Sequence, residues 1–154
     1  TSGIMVFALT RQAQSQLSRL FQQGTVKKRY QAVVHGLVEK DQGSIELPLI
    51  ADWPNRPLQK VCYETGKPAL THYQVLERDE VHNRTRLALS PVTGRSHQLR
   101  IHCRELGHPI IGCDMYAPPE IEALSPRLLL HAQWLAFNHP LTGLWQEFTS
   151  PCPF

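Results

Sequence analysis

The stretch Thr71–Leu89, THYQVLERDEVHNRTRLAL, decides the fold. From Thr71 to Glu77, Tyr73 and Val75 alternate with polar neighbours; from Arg84 to Leu89, Leu87 and Leu89 alternate with Arg84 and Arg86. A period of two puts one set of side chains on one face of a sheet, so each half reads as a strand. Asp79-Glu80-Val81-His82-Asn83 between them is short and polar, the chemistry of a hairpin loop joining antiparallel neighbours. Outward from this hairpin the pattern repeats. Tyr30, Ala32 and Val34 form a strand ending at Gly36, and Ser44 to Ile50 forms another beyond the turn at Asp41-Gln42-Gly43. Leu128–Phe137 and Leu144–Phe148 flank the turn His139-Pro140-Leu141-Thr142-Gly143 and predict a closing hairpin. The strands mostly follow one another without crossover helices, which predicts an α+β fold, a mostly antiparallel mixed sheet with flanking helices.

Two helices are expected. Thr10 is a natural N-cap for Ala13, Leu17, Leu20 and Phe21 at helical spacing, and Gly24 a natural stop. Ser96 to Leu106 is the second, with Ser96 as its cap. Leu99, Cys103 and Leu106 make one stripe, and His97, Arg100 and Arg104 another. Ile4 to Leu9 is nearly unbroken apolar chain and predicts a buried strand, whereas Ala51–Pro57, with Trp53, Pro54, Asn55 and Pro57, is loop chemistry.

The 154 residues are 42% hydrophobic and 19% charged, enough for one domain with a core and unlike a disordered chain. No apolar run approaches a membrane span, and no basic region opens the chain as in a signal peptide. Cys62, Cys103, Cys113 and Cys152 show neither zinc-ribbon nor disulfide-scaffold spacing and read as reduced thiols of a cytoplasmic protein. The net charge of +3 conceals segregation. Arg11, Arg19, Lys27, Lys28 and Arg29 fall in residues 1–38 without an acid, and Arg84, Arg86, Arg95, Arg100 and Arg104 fall in residues 81–104, again without one. Two such blocks on one domain predict a polyanion-binding face if they meet in space.

Three clusters compete for the chemistry. Gly94-Arg95-Ser96-His97-Gln98-Leu99-Arg100-Ile101-His102 opens a helix with free N–H groups and planar guanidinium donors, suited to phosphate or carboxylate. A metal site from His97, His102, His108 and Asp114 is disfavoured, because His97 and His102 are five apart and beside arginines; no metal is expected. A zinc hydrolase would need that metal. Lys27-Lys28-Arg29-Tyr30 joins cations to an aromatic ring that can stack on a base, though such a tyrosine is more often simply a half-buried strand residue. A G-x-S-x-G elbow and a glycine-rich nucleotide loop are both absent.

At these residues the chain resembles the pseudouridine synthases of the RluA type. Thr1-Ser2-Gly3 resembles the end of that family's His-Arg-Leu-Asp-x-x-Thr-Ser-Gly motif, and Lys28-x-Tyr30-x-Ala32-x-Val34-x-Gly36 its tyrosine motif. Gly94–His102 with Gly107-His108-Pro109-Ile110, Gly112, Asp114 and Tyr116 resembles its arginine motif, and Leu130-His131-Ala132 with His139-Pro140 its closing segment. Asp52–Pro57 and Lys60–Pro68 resemble the RluA branch itself.

The resemblance implies an isomerase that converts uridine to pseudouridine in a 23S ribosomal RNA hairpin and in tRNA anticodon stem-loops, by base flipping and without a cofactor. It implies catalytic roles for Tyr30 and Arg100 and RNA contacts from Lys28, Arg29, Arg95 and His97. The family's catalytic aspartate would lie three positions before Thr1 and is not among these residues. Residues 1–154 are therefore expected to be a partial catalytic domain that starts just after the aspartate motif and is inactive alone. A cytoplasmic monomer that binds RNA and no membrane is expected. The alternative is a non-catalytic RNA-binding module with the same basic face.

Overall fold

The computed structural model describes residues Thr1–Phe154. In chain order the elements are β1 (Ser2–Gly3), α1 (Arg11–Gln22), β2 (Lys27–His35), β3 (Gln42–Glu46), β4 (Leu49–Ala51), β5 (Gln59–Val61), β6 (Leu70–Asp79), β7 (Arg84–Pro91), α2 (Gln98–Glu105), α3 (Pro119–Glu122), β8 (Leu130–Asn138) and β9 (Trp145–Thr149). Seven strands form one sheet in the order β1-β8-β2-β7-β6-β3, with β9 also on β8, and β4 and β5 form a separate two-stranded ribbon. Only the β1–β8 pairing is parallel. This is the expected α+β architecture.

The opening hairpin is β6–β7, with Tyr73 opposite Leu89 and Val75 opposite Leu87. These residues and Ala32 and Val34 of β2 make the main core with Leu99, Ile101 and Cys103 of α2. Smaller clusters lie under α1 (Leu17, Val26, Leu135, Phe137) and beside α3 (Val33, Ile111, Ile121, Leu129). The α1 termini obey their sequence signals. Thr10 Oγ1 accepts from the Ala13 amide at 3.1 Å, and Gly24, at φ 70°, closes the helix while Thr25 N–H bonds back to Leu20.

Three local expectations fail for physical reasons. Ile4–Leu9 is not a buried strand: pairing stops at Gly3, Ile4, Val6 and Ala8 pack against the α1 cluster, and Met5, Phe7 and Leu9 are exposed. An unbroken apolar run thus splits by parity between a core and an open face. Ser44–Ile50 is two strands, because Leu47-Pro48 carries the chain out of the sheet into the ribbon and Pro48 has no amide to extend the ladder. The second helix begins at Gln98, not Ser96. His97 precedes it in the left-handed region at φ 57°, and no side chain caps the helix.

Candidate active site

The loop before α2 is set by a buried glutamine. Gln98 Oε1 accepts from the Thr93 hydroxyl at 2.7 Å and the Arg95 amide at 3.1 Å. Its Nε2 donates to the Leu70 carbonyl at 3.0 Å and to Thr71 Oγ1 at 2.9 Å. Thr71 in turn bonds His102 Nδ1 at 2.8 Å, and His102 Nε2 donates to the Leu47 carbonyl at 3.0 Å. Every member is satisfied, which makes a buried polar network rigidifying rather than costly. It pins residues 93–98 to β6, and so fixes where Arg95, His97 and Arg100 point.

Opposite this loop, β8 bulges against β2: Arg29 pairs with Trp134 and Tyr30 with Ala132, so Gln133 is the extra residue. Such a bulge bends the strand that carries it and increases the local twist. Lys28 and Tyr30 turn into a cleft of about 350 Å³ whose other walls include Phe21, Arg95, His97 and Arg100. Thr1 also lines it. A Cβ on Gly94 would lie 3.2 Å from Lys28 Nζ, so the glycine leaves room for the ammonium beside the loop. A second, more apolar recess shares Lys28 and Tyr30 and is walled by Ile4, Val6 and Leu135.

The charges follow from this burial. Lys28 is desolvated, which lowers its pKa, and burial raises that of Tyr30, so the phenol is neutral at pH 7. His97 is lowered by desolvation and by the Arg100 guanidinium, against an opposing pull from Asp114. Arg100 donates no hydrogen bond within the chain. Its acidic neighbour is Asp114 at 3.9 Å, and its side chain is 18% exposed against 69% for the aspartate. A mostly buried cation with open donors on a cleft is built to meet an anion.

Of the residues singled out from sequence, Tyr30, Arg100, Lys28, Arg95 and His97 meet in this cleft. Arg95 also donates from Nε to the Pro68 carbonyl at 2.9 Å. Arg29 is not in the cleft. It points from the other side of β2, its guanidinium 5.1 Å from the Trp134 ring centroid, in a depression with Gln31, Gln74 and Gln133. The two basic blocks therefore meet only in part. Arg86 bonds Gln31, and Arg84 and Arg86 line a hollow with Phe154, while Arg104 pairs with Glu105 at 2.8 Å. The histidines considered as metal ligands have separate partners, His108 Nδ1 lying 2.8 Å from the His35 carbonyl. Sequence reasoning missed Gln98 as the organiser of the loop and Asp114 as the neighbour of Arg100. A glutamine inside an otherwise basic helix was the available signal for the first.

The family model for RNA pseudouridylate synthase matches residues 1–105, with Tyr30 and Arg100 inside the matched region. The chain belongs to the RNA pseudouridylate synthase family. Its members are isomerases. Along all 154 residues it is 56% identical to a dual-specificity RNA pseudouridine synthase RluA of Pasteurella multocida and 53% identical to that of Escherichia coli K12, covering 70% of each relative. Among solved structures, the human RNA pseudouridylate synthase domain containing 1 superposes with a TM-score of 0.81 at 30% identity, over 96% of this chain. The chain spans 63% of that protein. The human domain containing 4, at 23% identity and a TM-score of 0.73, shares the fold. No helix of the chain is long and apolar enough to cross a membrane.

Proposed function

We infer that the protein isomerises uridine to pseudouridine in RNA, holding the target nucleotide extruded in the cleft between β2 and the loop that opens α2. The observation that carries this reading is that Tyr30 and Arg100, from distant parts of the chain, wall one cleft together with Lys28. In the reaction the C1′–N1 bond breaks, the freed uracil turns, C1′ bonds to C5, the C5 hydrogen leaves as a proton and N1 takes one up. No electrons are gained or lost, so the chemistry asks for no redox cofactor. A bond inside a stacked stem is out of reach, and extrusion costs a few kcal/mol, least in a loop.

The chain's own groups divide the work. The Tyr30 ring stacks on the loosened uracil, with its neutral hydroxyl near C5. Lys28, Arg95 and His97 hold the nucleotide and its phosphates, offsetting the cost of unstacking. Arg100 keeps a carboxylate ionised beside the sugar. That carboxylate is the family's aspartate, three positions before Thr1 in the motif. Three residues span at most about 10 Å, and Thr1 itself lines the cleft. The resemblance implies a 23S ribosomal RNA hairpin and tRNA anticodon stem-loops as substrates, met in the cytoplasm, and the relatives are named for dual specificity. One chain supplies Tyr30, Arg100 and their cationic neighbours, so a monomer suffices.

Tritium release from RNA carrying C5-labelled uridine tests the reading. The full-length protein should release tritium and lose that ability when the motif aspartate is replaced. Binding of RNA without release from any substrate would instead establish a binding module.

A further inference from the structure

His97 and His102 each join a hydrogen-bonded chain, His102 through both ring nitrogens and His97 through one, and the chains end differently. That of His102 runs from Gln98 through Thr71 and closes on the Leu47 carbonyl. That of His97 begins at the Gln59 amide of β5, which donates to Tyr116 Oη at 3.0 Å. Tyr116 Oη lies 2.5 Å from His97 Nδ1. The phenol proton has no other acceptor in the chain, so it goes to Nδ1, which must then be unprotonated. A neutral imidazole with Nδ1 as acceptor carries its proton on Nε2. Nε2 has no protein partner, and His97 lines the cleft. The tyrosine is 5% exposed, its ring edge-on to the imidazole with centroids 5.4 Å apart. It holds a residue whose left-handed backbone would otherwise be free to relax.

We propose that Tyr116 is a positioning residue that locks His97 in the Nε2–H tautomer, so that His97 presents a fixed neutral donor to an acceptor oxygen of the nucleotide in the cleft. This rests on the cleft being the RNA site. The oxygen is a uracil carbonyl or a phosphate oxygen. The same hydroxyl ties the β4–β5 ribbon to the entrance of α2. Burial supports the arrangement, since it keeps Tyr116 protonated and His97 neutral.

The test uses the full-length protein and a target RNA hairpin. Imidazole nitrogen NMR of the wild type should show His97 as a single Nε2–H tautomer, and Tyr116→Phe should release a mixture. Tyr116→Phe should raise the RNA Kd at pH 8 by the reciprocal of the Nε2–H fraction that these spectra report, about twofold for an even mixture. That loss should shrink at pH 5, because an imidazole protonated below its lowered pKa carries Nε2–H whatever Tyr116 does; a merely structural defect would not. Arg100 and Asp114 face His97, Lys28, Tyr30 and Arg95 line the same cleft, and Arg104 and Cys113 flank Tyr116. The wild type at both pH values carries all of them and is the reference. In a His97→Gln background, whose amide donates regardless, Tyr116→Phe should add nothing. Should Tyr116→Phe not fold, His97→Ala should bind about tenfold weaker than wild type and His97→Gln, which keeps a donor, should recover most of that loss. An abasic target nucleotide separates the sources: a Tyr116→Phe loss that persists on it marks a phosphate oxygen, and one that vanishes marks the uracil. Mixed tautomers in the wild type, an unchanged Kd for folded Tyr116→Phe, or an equal loss in the His97→Gln background would overturn the proposal. Failure of the wild type to make pseudouridine would overturn the catalytic reading, while the tautomer spectra would still decide this one.

Discussion

The two flanks of α2 are made of the same residue types and do opposite things. On the closed flank, Gln98 and His102 spend every polar atom on Thr93, Arg95, Thr71 and the carbonyls of Leu70 and Leu47. On the open flank, Arg100 donates to nothing within the chain and His97 keeps one nitrogen unbonded beside the cleft. The difference is one of satisfaction rather than composition. Polar groups whose bonds close inside the fold hold a loop still, and polar groups left open at its edge are what the stillness serves. The strand β2 repeats the lesson by parity, with Lys28 and Tyr30 in the cleft and Arg29 and Gln31 on the reverse.

Substitutions should separate the flanks, and the largest effect should fall on turnover. In the full-length protein, Arg100→Ala and Tyr30→Phe should each lower single-turnover tritium release by roughly a thousandfold or more, the scale of losing one transition-state group. RNA affinity should change far less. Binding lost with turnover per bound RNA retained would reverse the assigned roles. On the closed flank, Gln98→Leu should leave the hydroxyl, amide and carbonyl partners of Gln98 buried and unpaired. The expected cost is about 2–4 kcal/mol in urea unfolding, with tritium release per folded molecule reduced much less than in Arg100→Ala.

The third effect is in affinity. Lys28→Ala should weaken RNA binding by about tenfold and flatten its salt dependence by nearly one unit of slope. Arg29→Ala, on the reverse face, should weaken it less than threefold; equal effects would erase the distinction between the two faces of β2. The smallest effect is on the pH dependence of stability. Burial lowers the pKa of His102 below its usual 6.5, against an opposing contribution from the Leu47 carbonyl. The unfolded chain therefore binds that proton first. Stability is fully present above about pH 6.5 and falls as pH drops toward the folded-state value. Urea melts should show this slope in the wild type and a shallower one in His102→Gln.

Much of this was legible in the residues, and the rest was hidden for identifiable reasons. Alternation gave β2, β6, β7 and the closing hairpin, and Thr10 with Gly24 gave α1 nearly to the residue, because period and caps are local properties. The joint presence of Tyr30 and Arg100 followed from a family motif, not from spacing. What local rules could not show was set by contacts distant in sequence. Ser96 has the chemistry of a cap, yet the Gln98 network and the left-handed His97 start the helix two residues later. Arg29 adjoins two residues that reach the cleft, and strand parity alone could have separated it from them. Tyr116 stood in the sequence only as part of a motif, and its role depends on a bond to His97, 19 positions away, supported by one from the Gln59 amide.

Photocrosslinking reads directly the contact of an extruded uridine with Tyr30, on which the catalytic roles depend. RNA carrying 5-iodouridine at the target position, irradiated on the full-length protein, should attach at Tyr30, and the Tyr30→Phe protein should attach at the same position. Attachment instead at the exposed Trp53 beyond the ribbon would place the base outside the cleft and contradict an extruded uridine at Tyr30.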